Sequence, residues 1–496
     1  MPWGETLFQS QLIINGAPHP AERGPRFERR GPRSDDVVTS AAAGRAEDAR
    51  RAAAAAAGAF GAWSGTAAAE RRDILLRAAA LMLDRQDAVI DIAGHEVGSS
   101  EAWIRFNVEI AVNMLRQAAE LPAQMTEETR EGANPGARFV VRRRPAGVVL
   151  AIAPWNAPVT LATRAIAAPL ACGNTVVLKA SELCPMTHEW VARALIDAGL
   201  PAGTLNFVTN APDHAAEVVA ALIDHPAVRR INFTGSTRVG HEIALAAARH
   251  LKPCLLELSG KGTMVVLAGA DLDLAAREAA HGAFFNQGQV CISTERILVD
   301  HAVADGFVDR LAAHAQRLRV DLASLPKRGA LVSPGAAVRL RGMVDDAVAR
   351  GARLVTGGDS FGAMLQPTVL DRVSPGMRIY SEEAFGPIVG IVRVGDAEEA
   401  LSLANDTDYG LVVSIFSRDE ARAADMLRQI ETGIGHVNCS TVFDDPEMPF
   451  GGVKASGYGR FGGREAIDEF TECLVLHLAR HGQDRGPDLA LGHRHD

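Results

Sequence analysis

The strongest constraint on the fold is a change of texture near residue 137. From there FVVRRR, GVVLAIA, TVVLKA, LNFVT, RRINFT and CLLEL are each followed by turn residues or a helical pattern. Short β-rich runs alternating with helices imply crossover connections, and therefore parallel βαβ units with helices packed on the sheet. A second alternation follows residue 291, with RILVD, IVGIVRV and VVSIFS set between helical stretches such as AVADGFVDRLAAHAQRL and GAAVRLRGMVDDAVARG. Two α/β halves are expected, and 496 residues are enough to bury more than one core.

Residues 45 to 120 read as three helices: AEDARRAAAAAAGAFGAW, RRDILLRAAALMLDRQDAVIDIA and EAWIRFNVEIAVNMLRQAAEL. In the third, Trp103, Phe106, Ile110 and Met114 share one face. The uncharged run GVVLAIAPWNAPVTLAT, residues 147 to 163, is nearly long enough to span a membrane. Pro154 and Pro158 break it into a buried strand, a turn and a helix that starts near Pro158. A formal net charge of −9 gives no electrostatic motive for binding nucleic acid. The short Arg142-Arg143-Arg144 run reads as a solvated strand edge. Six scattered cysteines without a CxxC pair indicate neither a disulfide framework nor a metal site. With no secretory signal read at the N-terminus, the expected compartment is the cytoplasm, without a membrane partner.

The literal GxGxxG match, Gly457 to Gly462, follows no strand and reads as a decoy for a dinucleotide site. INFTGSTRVG is a better candidate: a strand, then Gly235 and Ser236 where backbone must approach a phosphate, then a helix. Lys179 and Glu182 offer an ammonium and a carboxylate at the end of TVVLK, although a solvated surface pair would look the same. A carboxylate that reads the adenosine ribose hydroxyls repels a 2′-phosphate, which favours NAD, with NADP as the weaker alternative.

Cys291 lies in FFNQGQVCIST, and a lone cysteine is usually a small buried hydrophobe. Here its flank is glycine and glutamine, Glu257 closes a strand, and Asn156 sits in a tight turn at another strand end. Thiol, carboxylate and amide are the nucleophile, water activator and oxyanion donor that acyl-type chemistry requires. No histidine occupies an equivalent strand-end setting, although His281 and His436 stay open as partners.

APWNAPV, GNTVVLKASE, FTGSTRVG, LELSGK, FFNQGQVC, EEAFGPIV and PFGGVKASGYGR, in that order over nearly the whole chain, resemble the aldehyde dehydrogenase superfamily. The resemblance is greatest to the bacterial branch that oxidises salicylaldehyde, vanillin and benzaldehyde. It implies Cys291 as nucleophile, with Asn156 and the Cys291 N–H at the oxyanion and Glu257 activating water. It also implies cofactor contacts at Trp155, Lys179, Glu182, Gly235, Ser236, Glu383 and Phe385. Its fold is a Rossmann-like NAD-binding domain (1–125 and 147–257), an α/β catalytic domain (258–446) and a small β oligomerisation arm (126–146 and 470–480), before a tail (481–496). The arm implies a homodimer or homotetramer.

The sequence departs from that pattern at Ser259, where a glycine is usual, and at Asn210-Ala211-Pro212, where a glycine-rich turn is usual. A substrate tunnel is expected from Trp103, Phe106, Ile110, Met114, Phe285, Val290, Ile292, Phe443 and Phe450, with the Arg164 fork available to a ring hydroxyl or to a buried acid. Competing readings are an aliphatic aldehyde or semialdehyde dehydrogenase, and a catalytically silent binding protein of the same fold.

Overall fold

A computed structural model of the chain describes residues 7–132, 138–319 and 328–478. Two sheets dominate it. The first has eight strands in the order Gly457–Tyr458, Cys254–Glu257, Val228–Thr234, Val148–Ile152, Thr175–Lys179, Leu205–Val208, Leu12–Ile14 and Ala17–His19. Its five central strands run parallel, and the outer ones antiparallel. Val148–Ile152, Thr175–Lys179 and Cys254–Glu257 carry almost continuous apolar side chains because helices cover both faces.

In that sheet the chain steps outward from Val148–Ile152 in one direction, then returns to place Val228–Thr234 on the other side. The order therefore reverses between these two strands, and a crevice opens beyond their carboxyl ends, the usual ligand position in open α/β sheets. The segments leading into it are Pro154-Trp155-Asn156 and Gly235-Ser236.

The second sheet has seven strands: Arg353–Thr356, Thr368–Asp371, Ile388–Val394, Arg296–Asp300, Thr263–Val266, Val412–Phe416 and Ile434–Val437. All pairings are parallel except that of the outermost, Arg353–Thr356. A three-stranded antiparallel sheet joins Glu128–Glu131, Arg138–Pro145 and Thr471–Leu478. Arg142 to Arg144 lie beyond the reach of Glu128–Glu131 and so keep one unpaired edge there. Residues 479–480 of the expected arm and the 481–496 tail lie outside the described residues.

The helical region differs from its sequence pattern at one point. RRDILLRAAALMLDRQDAVIDIA forms two helices, Ala68–Asp84 and Gln86–Glu96, because the backbone of Arg85 leaves helical geometry. Buried Met82, Val89 and Ala93 keep helical spacing across the break, so hydrophobic periodicity does not mark it. No helix among the described residues is long and apolar enough to cross a membrane. The uncharged run at 147–163 is a strand, a turn and the helix Pro158–Ala171, as its prolines imply.

Gly457, first glycine of the GxGxxG match, belongs to an edge strand. It pairs with Glu257 at a positive φ of 103°, and a Cβ there would lie 2.0 Å from the Leu256 carbonyl oxygen. The match does follow a strand, the two-residue Val453–Lys454, contrary to the sequence reading, because a pair that short carries no apolar run, and its first glycine serves close strand approach.

Candidate active site

Cys291, Glu257, Asn156, Trp155, Gly235, Ser236, Glu383 and Phe385 all line one cavity of about 250 Å³ at the switch point of the first sheet. Residues separated by up to 230 positions meet there because the second sheet brings its loops onto the crevice of the first.

Glu257 ends its strand in register with Thr234 and Gly457, and its carbonyl accepts the Gly235 N–H at 3.0 Å. Its side chain is buried, and neither carboxyl oxygen has a hydrogen-bond partner. Burial pushes the Glu257 pKa up to about 7, with the Cys291 thiol and Arg164 opposing. Beyond Glu257 the chain runs against the nucleophile loop, where a Cβ on Gly260 would lie 2.5 Å from the Cys291 carbonyl oxygen.

Cys291 is partly accessible at the cavity surface. Burial raises its pKa well above the ordinary thiol value, and the adjacent Glu257 carboxyl raises it further. The sequence calls for a site that ionises this thiol, since an unperturbed thiol with a pKa of about 8.5 is mostly neutral at pH 7. These residues do the opposite: desolvation and a neighbouring acid hold the sulfur protonated, and Arg164 is the cation working against them.

The loop before Cys291 is unusual. Asn286 and Gln287 both have positive φ, 48° and 56°, which non-glycine residues adopt only when held. The Asn286 side chain donates to the Asn156 carbonyl at 2.9 Å. The Gln289 side chain donates to the Ala330 carbonyl at 3.2 Å and accepts the Val332 N–H at 2.9 Å. Asn156 donates its side-chain N–H to the Gln289 carbonyl at 3.1 Å, and its own carbonyl also accepts the Trp103 indole N–H at 2.9 Å. The amide is therefore fixed by one of its two hydrogens. Asn286 and Gln289 were visible in the sequence only as a polar flank, without a signal for this role.

Lys179 and Glu182 do not line this cavity; they form an ion pair at the carboxyl end of the strand Thr175–Lys179, and Asn210 donates to Glu182 at 2.8 Å. The Asn210 of the unusual turn thus steadies the Glu182 carboxyl. Ser236 precedes the twelve-residue helix Thr237–Ala248 and spends no side-chain hydrogen bond on capping it. The crevice, this uncapped helix start and the carboxylate at the neighbouring strand end fit a dinucleotide: backbone N–H groups for a pyrophosphate, an acceptor for ribose hydroxyls. The second unusual residue, Ser259, also faces the cavity, and interaction with its hydroxyl and with the Gly260 N–H, at 3.0 Å, lowers the Glu383 pKa against the larger upward effect of burial.

The expected tunnel residues form separate groups. Trp103, Phe106 and Phe285 make mutual aromatic contacts at 4.9 to 5.6 Å. Met114, Arg164 and Phe450 line a small recess with Asp444. Arg164 pairs with Asp444, and its guanidinium lies 4.0 Å over the Phe450 ring. Val290 and Ile292 flank Cys291 and are buried; Ile110 is buried on the same helix as Trp103. Phe443 is half exposed, edge-on to His436, and His281 stacks on Phe285 at 4.8 Å. Neither histidine lines the cavity that holds Cys291.

Comparison with known proteins agrees with this geometry. The pattern described as the Aldehyde dehydrogenase family matches residues 20–475. A vanillin dehydrogenase of Pseudomonas fluorescens is 52% identical over 475 residues, 95% of this chain and 98% of the relative. The crystal structure of a salicylaldehyde dehydrogenase from Pseudomonas putida G7, complexed with salicylaldehyde, superposes with a TM-score of 0.94 at 44% identity, covering 96% of this chain and 99% of that one. An NADP-dependent glyceraldehyde-3-phosphate dehydrogenase from Bacillus halodurans C-125, complexed with NADP, has a TM-score of 0.91 at 34% identity over 95% of this chain and 99% of that one.

Proposed function

Because the chain belongs to the aldehyde dehydrogenase family, we propose that it oxidises aromatic aldehydes of the salicylaldehyde, vanillin and benzaldehyde type to carboxylic acids, with NAD as oxidant. The observation that carries the reading is the convergence of Cys291, Glu257 and Asn156 on the cavity at the sheet's switch point.

The partly accessible Cys291 sulfur gives its proton to solvent water and bonds to the aldehyde carbon. The developing oxyanion is met by the free hydrogen of the Asn156 amide and by the Cys291 N–H, donors already oriented before reaction. A nicotinamide held by the residues that line the cavity would supply the hydride acceptor, and Cys291 would be left carrying a thioester. Glu257, unpaired and with a pKa near 7, takes a proton from water as the water oxygen attacks the thioester carbon. Collapse breaks the carbon–sulfur bond, releases the acid and returns Cys291.

Lys179, Glu182, Gly235, Ser236 and Trp155 are the proposed adenosine and pyrophosphate contacts, Glu383 and Phe385 those on the nicotinamide side. Glu182 favours NAD, because its carboxylate meets a ribose hydroxyl well and a 2′-phosphate badly. The ring of the substrate is assigned to the Trp103, Phe106, Phe285 cluster and to Val290 and Ile292, which flank Cys291; Met114 and Phe450, in a separate recess, and Phe443, beside His436, are not part of that wall. Arg164 is already paired with the buried acid Asp444, so its proposed bond to a ring hydroxyl falls to the guanidinium hydrogens outside that pair.

The first sheet is the proposed cofactor domain and the second the catalytic one. The three-stranded arm, which exposes Val475, Leu476 and Leu478, is the proposed contact between copies of this chain.

The deciding experiment follows reduced cofactor at 340 nm with salicylaldehyde, vanillin, benzaldehyde and hexanal, for wild type and Cys291→Ala. Higher kcat/KM on the ring aldehydes and an inactive variant are expected. Preference for hexanal refutes the aromatic reading, and turnover by the variant refutes the nucleophile.

A further inference from the structure

Four residues beyond Cys291 stands Glu295, a carboxyl group that the chemistry above does not use. It is buried, and its backbone N–H is fixed to the Gly262 carbonyl at 2.9 Å. One carboxyl oxygen accepts the Phe385 N–H at 2.7 Å; the other accepts the Ala384 N–H at 2.8 Å and the Lys261 ammonium at 2.8 Å. Lys261, fully enclosed, also donates to the Glu382 carbonyl at 2.6 Å. Three of these bonds, those with the Phe385 N–H, the Ala384 N–H and the Glu382 carbonyl, end on the turn 382–385. Within it Phe385 has a positive φ of 50°, a conformation that costs a non-glycine residue free energy and persists only where surroundings hold it. Held so, the Phe385 ring meets Trp155 edge-on at 5.7 Å across the cavity mouth.

We propose that Glu295 is a positioning residue: by accepting the Ala384 and Phe385 N–H groups it holds the strained turn that presents Glu383 and Phe385 to the cofactor. This rests on the reading that these two residues meet a nicotinamide dinucleotide. A buried ion pair alone is a poor stabiliser, since desolvation of both charges offsets their attraction. The two convergent N–H groups give this one a geometric task. The same strand end thus carries the nucleophile and the clamp for the opposite wall.

The test measures the dissociation constant of NAD by quenching of intrinsic fluorescence, alongside KM, kcat and the rate of Cys291 alkylation by iodoacetamide without cofactor. Glu295→Asp keeps the charge beside Lys261 and withdraws it by one methylene, beyond reach of both N–H groups. The expected result is a Kd and KM for NAD raised about 10-fold or more, equivalent to about 1.4 kcal/mol. The kcat and alkylation rate are expected to stay within about 3-fold, a split that general loosening would not give. The double variant Lys261→Met, Glu295→Gln neutralises the pair without restoring both acceptors, and is expected to bind NAD as weakly as Glu295→Asp. Wild-type affinity in either variant overturns the proposal, as does a loss of alkylation in step with affinity. A wild type that binds neither NAD nor NADP overturns the cofactor reading and this inference with it.

Discussion

The Asn156 side-chain amide donates to the carbonyl of Gln289, two residues before Cys291, at 3.1 Å. The proposed oxyanion donor and the loop of the proposed nucleophile are thereby tied together. Asn156→Ala is expected to lower kcat by roughly 10² to 10³-fold with a small change in the KM for aldehyde, as for other preorganised oxyanion donors. Steady-state kinetics with one aldehyde at saturating cofactor check this.

Glu257→Gln separates the two half-reactions. Thioester formation does not need the base, so a rapid burst of about one reduced cofactor per active site is expected, followed by a stall. Stopped-flow absorbance reads both phases, and a full steady rate would remove Glu257 from water activation.

The same group makes a stability prediction. Its folded pKa of about 7 exceeds the ordinary carboxylate value, so the folded chain holds an extra proton between about pH 4.5 and 7. Stability from this group is complete below that window and declines as pH rises through it, by on the order of 3 kcal/mol at 1.36 kcal/mol per unit. Glu257→Gln removes the penalty, so a higher Tm than wild type is expected at pH 8 and no gain below pH 4.5. Calorimetry at both pH values tests the sign.

Cofactor choice is predicted to sit at Glu182. Glu182→Gln removes the charge that repels a 2′-phosphate, and the NADP to NAD ratio of kcat/KM is expected to rise at least about 10-fold. An unchanged ratio places the discrimination elsewhere.

Arg164 is predicted to act on hydroxylated rings. Arg164→Met leaves Asp444 without its partner, and kcat/KM for salicylaldehyde is expected to fall about 10-fold further than that for benzaldehyde. Equal losses on both substrates would assign the pair to structure.

The parallel strands were legible because buried strands are apolar runs bounded by turn residues, and the motifs at 156 and 257 sit at or just past their carboxyl ends, while that at 291 lies in the loop before Arg296–Asp300. Leu12–Ile14 and Ala17–His19 were not, since three-residue strands carry no period to detect. The positive φ of Asn286 and Gln287 has no sequence signature, because tertiary bonds impose it. Partnerships across long separations were equally silent. Lys261 with Glu295 had no signal in the sequence, and for Arg164 a buried acid was one expected partner, but only the fold identifies it as Asp444.

The edge strand Gly457–Tyr458 closes beside Glu257, about 200 residues after it in the chain. A growing polypeptide can assemble the neighbouring parallel strands early, yet the peptide groups flanking Glu257 stay open until residues 457 and 458 have left the ribosome. A chain cut short before them would carry Cys291 and Glu257 with the strand of Glu257 bare along one side.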